Sequence, residues 1–116
     1  MIARTWHGRV PAAKAAAYYE YLLRTGVADY RATPGNRGIL LQRRVEGDVA
    51  HFCLTTLWDS VDAIRRFAGE DYQAARYYPG DDEYLLEREP TVTHADVLLT
   101  VMDGAELAAE GRTSTA

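Results

Sequence analysis

Ten consecutive residues, Val49-Ala-His-Phe-Cys-Leu-Thr-Thr-Leu-Trp58, hold almost nothing that favours a helix. Val, Phe, Cys, Thr and Trp suit a pleated, half-buried surface, so the run reads as a buried strand. Asp59 and Ser60 stop it. Both are good N-cap residues, because a short side-chain oxygen can accept from a first-turn backbone N–H. Val61, Ile64, Phe67 and Ala68 then fall on one face of a short helix, and Gly69 supplies its C-cap. This strand–cap–helix unit is the frame for everything else in the chain.

Residues 2–10 read as a first strand. Ile2, Arg4, Trp6, Gly8 and Val10 alternate with Ala3, Thr5, His7 and Arg9 on its two faces. Pro11 suits a first helical turn, and Ala12, Ala16, Tyr19, Leu22 and Leu23 recur at helical spacing to about Thr25. Gly26 caps that helix, a short helical or irregular piece runs to Thr33, and Pro34-Gly35-Asn36 turns. Arg37 to Glu46 is a second strand, closed onto the third by Gly47-Asp48 as a tight hairpin. Beyond the second helix, Tyr72, Tyr77 and Tyr78 precede a break at Pro79-Gly80, and Asp81-Asp82-Glu83 reads as a capped first turn. Thr91 to Met102 is the fourth strand. Residues 104–116 are small and polar and are expected to form a flexible C-terminal tail.

The order β-α-β-β-α-β predicts an α+β, ferredoxin-like domain over residues 1–103. It has a four-stranded antiparallel sheet with helices on one face and the first strand between the third and fourth. Even pairing places His7 near Cys53 and Arg9 near His51. On the other side it places His7 near Asp96 and Arg9 near His94. One face then carries Ala3, Thr5, His7, Arg9, His51, Cys53, Thr55, His94 and Asp96. The helix-covered face carries Ile2, Trp6, Val10, Phe52, Leu54, Trp58, Val97, Leu99 and Val101. A one-residue slip in any strand reverses its faces.

Size and charge narrow the function. The chain has 116 residues, one domain's worth. No run approaches the roughly 18 apolar residues of a membrane span, and residues 1–10 alternate rather than forming a signal peptide. One cysteine rules out an internal disulfide framework and fits a cytoplasmic protein. A net charge of −4 with scattered basic residues argues against nucleic acid.

Three histidines on strands could make a metal or acid–base site, but no ligand spacing supports a metal. The simpler reading is that His7, His51 and His94 hydrogen-bond with Arg9 and Asp96 across an interface. Cys53, set between apolar neighbours, reads as a packing residue. The aromatics carry more information. Eight Tyr and two Trp include Trp6, Trp58, Tyr72, Tyr77 and Tyr78, where a pocket between sheet and second helix would be lined. Such a pocket, apolar with a few phenol and indole donors, suits a small planar aromatic or polyketide-type ligand. Phe52, Leu54 and Ile64 complete the expected lining.

Trp58-Asp59-Ser60, Ala63, Phe67-Ala68-Gly69, Ala75-Arg76-Tyr77-Tyr78-Pro79 and Glu87, with Met1-Ile-Ala-Arg-Thr-Trp-His-Gly-Arg9, form an ordered series. Their order and spacing resemble the antibiotic biosynthesis monooxygenase-like family over roughly residues 1–100. The resemblance implies a dimeric α+β barrel, in which two subunits pack sheet to sheet as a homodimer. The family is chemically mixed. Its quinone-forming members oxidise aromatic substrates with oxygen and without metal or flavin, which implies no cofactor here. In those members an Asn lies four residues before the strand-three Trp and a Tyr six after it; here these positions are Leu54 and Ile64.

Three functions follow as expectations. The first is a small cofactor-independent oxygenase of secondary metabolism, with Trp58 donating to developing charge and Tyr77 or Tyr78 holding a phenolate. The second is an isomerase, cyclase or lyase using His94 or His51 as general base. The third is a non-catalytic ligand-binding or stress-related dimer. Fold alone does not choose among them.

Overall fold

The computed structural model describes residues 1–109. Strand β1 (Ile2–Pro11) leads through a 3-10 turn at Ala12–Lys14 into helix α1 (Ala15–Arg24) and the short helix α2 (Gly26–Ala32). Strands β2 (Asn36–Glu46) and β3 (Val49–Trp58) form a hairpin, followed by helix α3 (Val61–Ala68). Residues 69–92 then cross the helical side as a long strap with a 3-10 turn at Pro79–Glu83, and β4 (Thr93–Asp96) closes the sheet. The sheet order is β2-β3-β1-β4, and every pairing is antiparallel. This is the ferredoxin-like arrangement.

Local chemistry explains the boundaries. Gly47 turns the β2–β3 hairpin at φ +59°, a backbone region that costs glycine nothing. The Ser60 hydroxyl accepts from the Ala63 N–H at 3.1 Å, as an N-cap should, and Gly69 ends α3 at φ +88°. Between β1 and β3 the register is as expected, with His7 opposite Cys53 and Arg9 opposite His51. Alternation therefore buries Arg4, Trp6, Gly8 and Val10 with Ala50, Phe52, Leu54, Thr56 and Trp58 beneath the helices. Trp58, Tyr18, Phe52, Ile64 and Val10 are the largest fully buried apolar side chains, each adding about 1.5–3 kcal/mol by leaving water.

The fourth strand corrects the expectation. It spans four residues rather than Thr91–Met102, and its register is shifted: Ile2 faces Asp96 and Arg4 faces His94. The offset is odd, so His94 and Asp96 belong to the helix-covered side and not to the face of His7 and Arg9. The cause is the strap. Its returning arm lies beside the second half of β1, where Leu86 N–H donates to Arg9 O at 2.9 Å. Arg9 there pairs with Glu87 at 2.7 Å, and His7 with Glu89 at 2.5 Å. Pro90, which has no N–H to give a ladder, ends this arm before β4 begins.

Leu99 and Val101, expected in the core, are exposed. They belong to β5 (Leu99–Met102), which pairs with β6 (Ala105–Ala109) in a separate two-stranded sheet. Of the stretch expected as a tail, residues 105–109 are this strand; residues 110–116 lie outside the described residues.

Candidate functional site

The strap meets the sheet over a small cavity. Arg4, Trp6 and Leu54 come from the sheet, Tyr18, Leu22, Gly26, Tyr30 and Phe67 from the helices, and Arg76, Tyr77, Tyr78, Asp81 and Val92 from the strap. The cavity volume is about 20 Å³. That is room for a water molecule and not for an aromatic ring. Any larger ligand has to displace the strap, whose two arms are joined by Ala75 N–H to Pro90 O at 2.9 Å and Val92 N–H to Gln73 O at 3.0 Å.

The walls are unusually polar for a core. Arg4 is 2% exposed. It donates to Tyr72 O, to Ala74 O at 3.1 Å and to His94 Nε2 at 3.1 Å. It also lies 5.9 Å from the Phe67 ring centre. Burial lowers its pKa. Arg76 sits over Phe67 at 4.7 Å and Tyr78 at 5.1 Å and is paired with Asp29 at 3.3 Å. Tyr77 donates to Glu89 O at 2.6 Å and accepts from the Trp6 indole at 3.3 Å, while Tyr78 donates to Asp29. Burial pushes the Tyr30 phenol up to about 12 and that of Tyr18 higher still. At the far end the Asp81 carboxylate accepts from Tyr78 N–H at 2.6 Å, and burial raises its pKa.

Of the residues expected at a pocket, Trp6, Leu54, Tyr77 and Tyr78 line this cavity. Trp58, Phe52 and Ile64 are fully buried beside it and do not line it. The Trp58 indole N–H, expected to face a substrate, donates to Thr56 Oγ1 at 2.7 Å. Tyr72 packs edge-on against His94, 5.3 Å between centres. His94 presents its Nε2 lone pair to Arg4, and burial followed by the Arg4 charge lowers its pKa. The residues that sequence reasoning missed are Arg4, Tyr18, Tyr30, Arg76 and Asp81. For Arg4 a signal exists: it is a charge in the core-facing register of an otherwise apolar strand face.

His51 lies on the opposite, open face of the sheet. Its Nδ1 shares a hydrogen bond with His7 Nε2 at 3.0 Å, and His7 pairs with Glu89. Glu46 is 3.9 Å from His51. The expected link of all three histidines to Arg9 and Asp96 does not form. Among the described residues, no group of three His, Cys, Asp or Glu is placed to hold a metal ion, and no helix is long and apolar enough to cross a membrane. A larger open groove of about 580 Å³ runs between α1, α2 and β2 over Leu23, Val27, Ile39 and Leu41, with Arg31 and Arg37 also lining it.

The fold and the pocket under the strap define a ferredoxin-like α+β protein with an aromatic, partly charged interior site. No protein-family model matches the chain, and no curated protein matches it. Among solved structures it is similar to an arginine-to-serine variant of MhuD, crystallised with two manganese protoporphyrin IX bound per active site. The match has a TM-score of 0.56 at 20% identity and covers 88% of this chain and 99% of that one. At that identity the likeness establishes the shared fold.

Proposed function

We propose that this protein is a small oxygenase-like enzyme that takes a planar aromatic ligand between sheet and strap and works without a resident cofactor. The observation that carries the reading is the lining of the cavity, where an indole, four phenols and a buried arginine converge on one space. The likeness to a structure that holds a planar macrocycle supports it. No histidine lines the cavity, so no step is assigned to a haem.

In this reading the electron-rich substrate reduces dioxygen itself. A methylene flanked by aromatic rings takes one oxygen atom as a carbonyl, and its two hydrogens leave with the other oxygen as water. The protein desolvates the substrate anion and stabilises its charge. Trp6, Tyr77 and Tyr78 position the rings. Trp58, Phe52 and Ile64 form the rigid wall behind them, and Tyr72 and His94 hold Arg4 in place. We further propose a homodimer closed over the open sheet face.

Oxygen uptake with the anthrone dithranol tests this. Uptake above the spontaneous rate, with one quinone formed per oxygen consumed, is the expected result. No uptake and no binding sinks the reading. Turnover of a ligand without oxygen favours an isomerase, cyclase or lyase. The Glu89–His7–His51 chain on the open face is the observation that would then matter, since a carboxylate-oriented imidazole is a good general base.

A further inference from the structure

We propose that the cavity is selective for aromatic ligands carrying an anionic oxygen, a carboxylate or deprotonated hydroxyl, and that Arg4 is its counter-ion. The inference rests on the pocket reading above and narrows its substrate class. A guanidinium removed from water is costly unless a negative charge accompanies it. The recorded partners of Arg4 are two carbonyl oxygens and one imidazole nitrogen, all neutral. None of the ion pairs among the described residues involves it, whereas Arg9, Arg37, Arg65, Arg76 and Arg88 each meet a carboxylate.

The rest of the cavity is arranged to suit. Tyr30 is buried and lines the same space, where its phenol can donate to an anion. Asp81, which also lines the cavity, accepts from the strap backbone at Tyr78 N–H. Arg4 and Tyr30 both lie against Phe67, at 5.9 Å and 4.4 Å. Arg4 also ties the strap down through Tyr72 O and Ala74 O. A ligand anion that takes over these donors loosens the strap as it enters, which joins binding to opening.

The test uses 2-naphthoate and its neutral isostere 2-naphthamide, titrated into the intact protein by calorimetry. The acid should bind at least about tenfold more tightly than the amide, as a buried charge-assisted pair requires. Arg4→Met should erase the preference, bringing acid and amide to within about twofold of each other, while the loosened strap shifts both affinities together. Equal affinities in the unaltered protein overturn the inference while leaving the pocket reading intact. A preference that survives in folded Arg4→Met places the anion on another cation and overturns it as well. Failure of both ligands to bind at millimolar concentration overturns the pocket reading and this inference together. If Arg4→Met does not fold, the comparison of acid and amide in the unaltered protein decides alone.

Discussion

Replacing Phe67 by Ala probes the packing that holds the cavity together. The ring is 6% exposed. It lies 4.4 Å from Tyr30 and 6.0 Å from Trp58, centre to centre, and carries Arg76 at 4.7 Å on its face. Truncating a buried Phe costs about 3–5 kcal/mol, and the cation–π contact with the part-exposed Arg76 adds about 0.5–1. The site adjoins an existing void and its neighbours are rigid rings, so collapse recovers little, and the upper half of the range applies. With an unfolding entropy of about 0.24 kcal/mol/K for 116 residues, about 4–5 kcal/mol lowers Tm by about 16–20 °C. Calorimetric melting of Phe67→Ala, with Phe67→Leu as a smaller change, measures this. A shift under about 4 °C would show that the helix does not bury this ring and would refute the placement of α3.

Thr56→Val should cost about 1–3 kcal/mol in urea unfolding, because it strands the buried Trp58 N–H that Thr56 Oγ1 accepts; an unchanged midpoint would contradict that bond. Alkali should destabilise the protein through Tyr30, whose phenol is pushed up to about 12 by burial against about 10 in the unfolded chain. The unfolded chain releases its proton first, so stability is full below about pH 10 and falls by on the order of 2–3 kcal/mol by about pH 12. Tyr30→Phe should remove part of that fall, and an identical alkaline profile would discount the phenol. Sedimentation should give a dimer of about twice the 13.0 kDa chain; a monomer at micromolar concentration would count against the proposed pairing of open sheet faces.

The first three strands and both long helices are legible because their signals are local. Alternation in residues 2–10 and 49–58, Ser60, Gly69 and Gly47 each act within a few residues of themselves. The fourth strand is not, since Thr91–Met102 is uniformly rich in β-formers and its register depends on the strap pairing with β1. Asp103-Gly104, at φ +51° and +77°, is a hairpin signal that reads as the start of a tail from composition alone. At the site, Trp6, Tyr77 and Tyr78 are found as aromatics near a junction. Tyr18, Tyr30 and Asp81 look like ordinary surface-capable residues of α1, α2 and an acidic turn. Only the strap's path across the sheet brings them onto one cavity.

The most direct test of that cavity as the binding site is a crystal structure of the protein grown with dithranol in the absence of oxygen. The account predicts the rings between β1, β3 and a displaced 69–92 strap, within contact of Trp6, Phe67 and Tyr77, with an anionic oxygen on Arg4. Ligand in the open groove between α1, α2 and β2, or against His7 and His51 on the open face, would contradict it.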